Sequence, residues 1–249
     1  MVSAWANNGG IVLGQIKVDE KSNEIMAIPG LLKLLEVENC IITIDAMGCQ
    51  KDIAEKITKK DADYILALKG NHGILHDDVK FFLDDSIKNN FKNIKHDYYE
   101  TFDKNHGRIE KRKYWITDEI TWLDQKCEWS KLNAIGVVES SRTIGNETKT
   151  ERRYYISSLP LDAKRFGNGI RGHWGIENSL HWVLDIAFRE DECRKRKDNS
   201  AENFSMLRHI ALNLLKQEKT LKRGIKGKRL KSGWDTDYLE KVLLGEEKI

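Results

Sequence analysis

The stretch CIITIDAMG (40–48) decides the fold that we predict for this chain. Its residues are β-branched and nearly all apolar up to Asp45, a pattern typical of a central strand that is buried on both faces. DYILALKG (63–70) has the same character, and the segment between the two strands has helical spacing. Functional groups gather at the carboxyl ends of strands in open α/β sheets, so Asp45 is a candidate site residue. Alternatively, Asp45 simply caps a turn before Gly48.

The segments before these strands complete an α/β pattern. Two apolar runs flank Asn-Asn-Gly-Gly (7–10) and predict a β-hairpin. Residues 23–38 then show helical apolar spacing, with Pro29 expected in the first turn. The first 70 residues therefore predict the order β-β-α-β-α-β, with mixed strand directions.

A strand-rich middle separates two helical parts of the sequence. Residues 72–89 have a helical pattern, residues 95–159 are rich in strands, and helices return at about residue 162. Because no internal repeat or low-complexity linker divides the chain, we predict one α/β domain over residues 1–249. Residues 95–153 are expected to be a β-rich insertion that leaves this core and re-enters it as one excursion.

The composition places broad limits on the class of protein. Of the 249 residues, 40% are hydrophobic and 33% are charged, which predicts a soluble globular protein. No apolar run approaches the roughly 18–20 residues of a membrane span, and the amino terminus lacks the features of a signal peptide. The four cysteines are scattered and form no Cys-x-x-Cys motif. We therefore expect reduced thiols, a cytoplasmic location and no membrane partner.

Basic residues are concentrated in two places. Residues 216–231 hold eight basic residues and one acid, which indicates either a nucleic-acid partner or a solvated basic tail. HGRIEKRK (106–113) alternates as a strand does, with Arg108 and Arg112 on one face. These arginines either grip a nucleic-acid backbone or form an exposed strand with salt bridges.

IRGHWGIENSLHWVLDIAFREDE (170–192) is predicted to be one helix followed by its exit. It is apolar or aromatic round much of its girth, so we expect it to be largely buried, where an unpaired Glu177 would be costly. His173, Glu177 and His181 share one stripe at spacings of four residues and suggest a zinc site. Two alternatives remain open. In one, neighbouring histidines and Arg171 hold Glu177; in the other, Glu177 shares an Mg²⁺ ion with Asp45.

Five motifs together resemble the H-repeat-associated family of DDE transposases over essentially the whole chain. They are TIDAMG (43–48), LALKGN (66–71), HGRIE (106–110), YYISSL (154–159) and RGHWGIENSLHWVLD (171–185). The resemblance implies an RNase H-like mixed sheet flanked by helices, with a β-rich insertion between the second catalytic Asp and the catalytic Glu. By motif, Asp45 matches that Asp and Glu177 matches the Glu, and both would bind Mg²⁺ or Mn²⁺.

The resemblance also implies roles for other residues. Groups near Glu177 would support it, namely Arg171, His173, Trp174, His181 and Asp185. The expected partner is double-stranded DNA at transposon ends, with a homo-oligomer as a further expectation. DNA contacts are expected from Lys69, Asn71, Arg108, Arg112, Lys222, Arg223, Lys226, Lys228 and Arg229.

The sequence departs from the family pattern at the first catalytic Asp. The family carries this residue in an Asp-Gly-Lys motif upstream of the hairpin, and the chain has no such motif; Asp19 does not match it. We therefore expect a truncated copy that lacks one catalytic ligand and does not cut or join DNA by itself. The alternative is a non-catalytic relic that binds DNA or another transposase subunit.

Overall fold

The computed structural model describes residues 1–18, 24–105, 107–195 and 197–245, so Asp19 lies outside the described residues. The chain divides into two compact units. One comprises Met1–Leu35 with Trp174–Ile249, and the other comprises Glu36–His173. No helix among the described residues is both long enough and apolar enough to cross a membrane.

The first 70 residues form the predicted order of elements. They are β1 (Val2–Ala6), β2 (Ile11–Ile16), α1 (Glu24–Leu34), β3 (Ile41–Ile44), α2 (Lys51–Thr58) and β4 (Asp63–Leu68). β1 and β2 form the predicted antiparallel hairpin, and β3 pairs with β4 in parallel. Pro29 lies inside α1 rather than in its first turn, because the helix already begins at Glu24.

The remaining chain alternates as predicted between helix, strands and helices. Its elements are α3 (Ile74–Lys88), β5 (Asp97–Asn105), β6 (Arg108–Thr117), β7 (Ala134–Ile144), β8 (Glu147–Ser157), α4 (Ala163–His173), α5 (Trp182–Phe188), α6 (Ser200–Gln217), α7 (Ile225–Ser232) and α8 (Thr236–Leu244). Short 3₁₀ segments lie at Gly70–His72 and Asp124–Glu128, and a π turn lies at Glu177–His181.

Six strands form one mixed sheet in the order β3-β4-β8-β7-β6-β5. Only β3 and β4 are parallel; the other neighbours are antiparallel. Tyr155 packs edge-on against Phe166 of α4, while its neighbour Tyr154 donates a hydrogen bond to Asp84 of α3. Since consecutive strand residues point to opposite faces, α3 and α4 flank opposite sides of the sheet. The predicted α/β class with a mixed sheet flanked by helices, consistent with an RNase H-like core, is confirmed.

Two details of the predicted sheet are wrong. The β-rich stretch does lie between Asp45 and Glu177 in sequence, but it does not leave the sheet as a separate excursion, because β5–β8 continue the sheet from β4. Tyr154–Ser157 of β8 pair with β4, whereas residues 147–153 pair with β7 beyond the end of β4. β3 is also not a central strand. Among the strands that the structure describes it pairs with β4 alone, and its residues are only half-buried.

The unit formed by Met1–Leu35 and Trp174–Ile249 has its own apolar contacts. Val12 packs with buried leucines of the π turn, α5 and α6, which are Leu180, Leu184 and Leu212. Asn213 of α6 fixes the hairpin to this core, because its side chain both donates to and accepts from the backbone of Val12, each at 2.9 Å. A second cluster joins α6 to α8 through Leu215, Tyr238 and Val242.

Candidate active site

Asp45 follows β3 directly, at the carboxyl end of the parallel strand pair. Its Oδ1 accepts hydrogen bonds from the backbone N–H groups of Met47 and Gly48, each at 3.2 Å. Asp45 is exposed, and its Oδ2 accepts no hydrogen bond within the described part of the chain. The turn-capping interpretation therefore describes one carboxylate oxygen, and the other oxygen is available to a ligand.

The turn after β4 is fastened to the turn that carries Asp45. The Nδ2 of Asn71 donates to the carbonyl O of Ala46 at 3.0 Å, and the Nε2 of His72 lies 3.0 Å from the carbonyl O of Cys49. These contacts join the carboxyl ends of β3 and β4 through side chains. Asn71, which we expected to contact DNA, thus uses its amide inside the protein.

His173, the last residue of α4, lies beside the same strand end. Its Nδ1 is 3.2 Å from the Oγ1 of Thr43. Burial lowers the pKa of His173, and the nearby carboxylate of Asp45 offsets this effect only in part. The imidazole is therefore neutral at pH 7. We expected His173 to support Glu177; the structure places it next to Thr43 and Asp45.

Arg153 of β8 is a charged residue near this edge that the sequence did not single out. Its Nε and Nη2 donate to Glu151 at 2.8 and 3.3 Å. The Arg153 guanidinium, and more weakly Lys69, hold the pKa of Glu151 below its usual value. Arg153 also lowers the pKa of His173, so these groups share one electrostatic environment. The alternation of side chains along β8 could have indicated that Arg153 faces α4. Arg153 lies on the same face as Tyr155, which packs against α4.

Three arginines that we expected to support Glu177 or bind DNA are paired with acids of the sheet. The Nη2 of Arg171 and the Nη1 of Arg112 lie 3.2 and 3.3 Å from the Oδ2 of Asp103. Arg112 also pairs with Glu110, and the Nε of Arg108 lies 2.8 Å from Glu110. The alternative of a strand with salt bridges is therefore what the structure shows for residues 108–112.

Glu177 is the first residue of the π turn, in which the backbone N–H of Trp182 donates to the carbonyl O of Glu177. The predicted single helix is thus interrupted between α4 and α5. Glu177 and Trp182 are exposed, whereas Leu180 and Leu184 are buried. The expectation of a largely buried helix is wrong, because one stripe rather than the whole girth packs inward. Desolvation therefore places no demand on Glu177 to find a partner.

The other residues expected to support Glu177 have varied surroundings. Trp174 is 45% exposed, and His181 is exposed. Burial raises the pKa of Asp185, and the carboxylates of Asp191 and Glu190 raise it further.

The basic segment 216–231 is folded rather than a solvated tail. The ammonium of Lys228 is buried and donates to the carbonyl oxygens of Leu215, at 3.1 Å, and Glu218. Arg229 lies over the ring of Phe188, with 5.8 Å between its Cζ and the ring centroid. Lys228, which we expected to bind DNA, is therefore not available to a phosphate, and Arg229 is partly engaged.

Three of the cations that we expected to contact DNA remain available. Lys222, Arg223 and Lys226 are exposed, and none of them forms an ion pair within the described ranges. They lie on the connection between α6 and α7 and on the first turn of α7. The positively charged surface that this segment exposes is thus smaller than the sequence indicates.

Among the residues that the structure describes, no group of three or more His, Cys, Asp or Glu side chains is arranged to hold a metal ion. The zinc interpretation gains no support from this. Asp45 lies in the unit Glu36–His173 and Glu177 in the other unit, so their convergence stays a prediction.

Comparisons with known proteins give one consistent result. A family model described as "Transposase DDE domain" matches residues 1–214. The chain is 46% identical to the "H repeat-associated putative transposase YhhI" of Escherichia coli strain K12, over 98% of this chain and 65% of that protein. It is 48% identical to the "Putative transposase YncI" of Escherichia coli O157:H7, over 98% of this chain and 63% of that protein. The chain thus spans a little under two thirds of the length of these relatives.

Proposed function

Because the chain belongs to the family of transposases with a DDE domain, we propose that it acts in DNA strand cleavage and transfer by metal-dependent phosphoryl transfer. Asp45 and Glu177 are the metal ligands in this proposal. The exposed carboxylate of Asp45 is the observation that carries it, since one oxygen is anchored at a sheet edge and the other accepts no hydrogen bond from the residues that the structure describes.

The donor chemistry of these two residues fits Mg²⁺ or Mn²⁺. Both ions prefer oxygen ligands, and Mg²⁺ typically takes one or two carboxylates and fills its other positions with water and substrate phosphate. When bound, such ions would act as Lewis acids toward the scissile phosphate and the attacking water or hydroxyl. Asp45 and Glu177 would contribute hard anionic oxygens from two separate parts of the chain.

The residues around Asp45 have supporting roles in this proposal. The side chains of Asn71 and His72 hold the turn that bears the carboxylate. Neutral His173 packs beside Thr43 and adds no charge that would compete with a cation. Lys69 is exposed at the adjacent strand end and is a candidate for contact with a phosphate.

Double-stranded DNA at transposon ends is the proposed substrate. Lys222, Arg223 and Lys226 would contact its backbone, since they are exposed cations of the folded basic segment. Contacts of this kind position a duplex without reading its sequence. Arg108 and Arg112 contribute less in this proposal, because a phosphate would have to compete with Glu110 and Asp103.

A third acid is needed to complete the ligand set of this reaction type. Neither β1 nor β2 contains an Asp or Glu, and the chain has no Asp-Gly-Lys motif. We therefore propose that this chain requires a further segment with that motif to cleave DNA. Two carboxylates alone would leave the metal ions with too few anionic ligands to hold the in-line geometry of the reaction.

The test compares this chain with a version that carries an added upstream segment containing Asp-Gly-Lys. Strand cleavage of duplexes bearing terminal repeats of the family is measured with Mg²⁺ or Mn²⁺, using Asp45→Asn and Glu177→Gln as test variants. Asp61→Asn and Glu240→Gln serve as matched controls at exposed positions.

Cleavage by the extended chain that only the two test variants abolish would support the proposal. Cleavage that survives Asp45→Asn or Glu177→Gln would overturn the assigned roles. Binding of DNA without cleavage by either version would favour the non-catalytic alternative.

A further inference from the structure

The π turn that begins at Glu177 is held by a side chain from α6. The Nζ of Lys216 donates to the carbonyl O of Ser179 at 2.8 Å and to the carbonyl O of Gly10 at 3.0 Å. It also lies 4.0 Å from the ring centroid of Trp5. One ammonium thus connects the π turn, the end of the β1–β2 turn and the indole of β1.

The position of these contacts matters because the π turn is a local departure from the α-helical hydrogen-bond pattern. Its hydrogen bond spans five residues, here from Trp182 to Glu177, and such turns occur often at functional sites. A donor fixed on another element restricts where the carbonyl groups of the turn can point. Ser179 is two residues from Glu177, so the direction of its carbonyl and the direction of the Glu177 side chain are coupled through the backbone.

We propose that Lys216 is a positioning residue that holds the Glu177 turn against the β1–β2 hairpin and so orients the Glu177 carboxylate toward a divalent cation. This inference rests on the proposed function for the role of Glu177 itself. Lys216 does not touch the cation; it acts through the carbonyl of Ser179.

The surroundings of Lys216 differ from those of the exposed cations in the same basic segment. Its Nζ is half-buried between two carbonyl oxygens and an aromatic ring, whereas Lys222 and Lys226 are exposed. A phosphate contact would require the ammonium to leave these three groups. Cation–π contact with an indole also favours the inward position, by about 0.5–2 kcal/mol in general.

The experiment uses the full chain and three variants. Lys216→Met keeps the apolar stem and removes the donors, Lys216→Arg restores donors, and Lys33→Met is a matched control on an exposed part of α1. Two quantities are measured: hydrogen exchange of backbone amides across residues 177–182, and Mn²⁺ affinity by calorimetry. Glu177→Gln is included to show whether Mn²⁺ binding depends on the proposed ligand.

In Lys216→Met we expect amide exchange in the π turn to accelerate at least about tenfold, with exchange in β6 and β7 unchanged. Mn²⁺ affinity should fall by about 10-fold or more, as is typical when a group that orients a metal ligand is lost. Lys216→Arg should recover most of both quantities, and Lys33→Met should match the wild type.

Unchanged exchange in the π turn would overturn the inference, and so would uniform acceleration throughout the unit, which would indicate a general loss of stability. A normal Mn²⁺ affinity in Lys216→Met, in a chain whose affinity does depend on Glu177, would also overturn it. If Glu177→Gln binds Mn²⁺ as the wild type does, the proposed function fails for Glu177 and the orienting part of the inference fails with it. The exchange result would then still decide whether Lys216 holds the turn.

Discussion

The buried ammonium of Lys228 lies 3.3 Å from the Oε2 of Glu218. The same carboxylate oxygen accepts a hydrogen bond from the hydroxyl of Tyr238 at 2.8 Å, and Oε1 accepts one from the backbone N–H of Thr220 at 2.6 Å. Burial alone would raise the pKa of Glu218, but the bonds from Thr220 and Tyr238 hold it at about 2. This cluster ties α6, α7 and α8 together.

We expect Glu218→Gln to lower the free energy of unfolding by about 3 kcal/mol at pH 7, because Lys228 would remain buried without its anion. Urea denaturation followed by circular dichroism checks this value. Since the folded pKa lies below the unfolded value of about 4.3, the contribution of Glu218 is fully present only above that unfolded value. It is lost as the pH falls from there toward 2. Glu240→Gln is the control, and an equal loss in both variants would contradict the prediction.

Gly136 lies under the ring of Phe166, where an added Cβ would be 2.5 Å from the Cζ of Phe166 and 3.0 Å from the carbonyl O of Trp115. Gly136→Ala should therefore destabilise the unit Glu36–His173 by at least about 2 kcal/mol, since a packed ring and a backbone atom must both move. Thermal unfolding measures the effect. Gly70→Ala is the control, because beyond its chain neighbours no described residue places an atom within 4 Å of the added Cβ; similar melting temperatures for the two variants would refute the packing argument.

Asn71 is expected to act on Asp45 through the Ala46 carbonyl rather than on DNA directly. Asn71→Ala should weaken Mn²⁺ affinity about tenfold while it changes the melting temperature by no more than a few degrees. Calorimetric titration with Mn²⁺ provides the measurement, and Asn89→Ala at the end of α3 is the control. Weaker DNA binding with unaltered Mn²⁺ affinity would instead support the original expectation of a DNA contact.

Lys222, Arg223 and Lys226 are expected to carry most of the salt-dependent DNA affinity. Changing all three to Gln should reduce the slope of log affinity against log salt by about 2–3 on a duplex, because each phosphate contact releases roughly 0.9 counterions. Binding is measured at several ionic strengths. The control changes Lys88, Lys92 and Lys164 to Gln, which removes the same charge from exposed positions elsewhere. Equal slopes for the two triple variants would rule out a specific role for this segment.

The element order could be predicted from the sequence because apolar periodicity reports burial at short range. The β-β-α-β-α-β order of the first 70 residues is an example. Periodicity does not report which strands become neighbours. IITI of β3 and ILAL of β4 have similar composition, yet β4 lies between two strands, whereas β3 has β4 as its one neighbour among the described strands. The same limit explains why β5–β8 were expected outside the sheet that they continue.

The sequence was sufficient to predict Asp45 as a site residue, because a strand end and a motif coincide there. It was not sufficient to predict which groups the charged residues pair with. A sequence does not show which way a charged side chain points. Lys228 and Lys222 therefore look alike in the sequence, although the ammonium of Lys228 is buried and that of Lys222 is exposed. Arg171 likewise pairs with Asp103, which is 68 positions away in the chain. The exposure of Glu177 was missed because an apolar count around a helix does not reveal which stripe packs inward.

The glycine content of α4 has a consequence for the order of folding. Three of its eleven residues are glycines, in the sequence AKRFGNGIRGH, and each costs about 1 kcal/mol of helix propensity relative to alanine. An isolated peptide of this length is already marginal as a helix, so α4 should be unstructured until the sheet exists. Gly167 and Gly169 then allow the helix to dock closely, because added Cβ atoms would meet Tyr114 at 3.1 Å and Ile65 at 2.6 Å. His173 would therefore reach Thr43 and Asp45 only in a late step of folding, after the long-range strand pairs have formed.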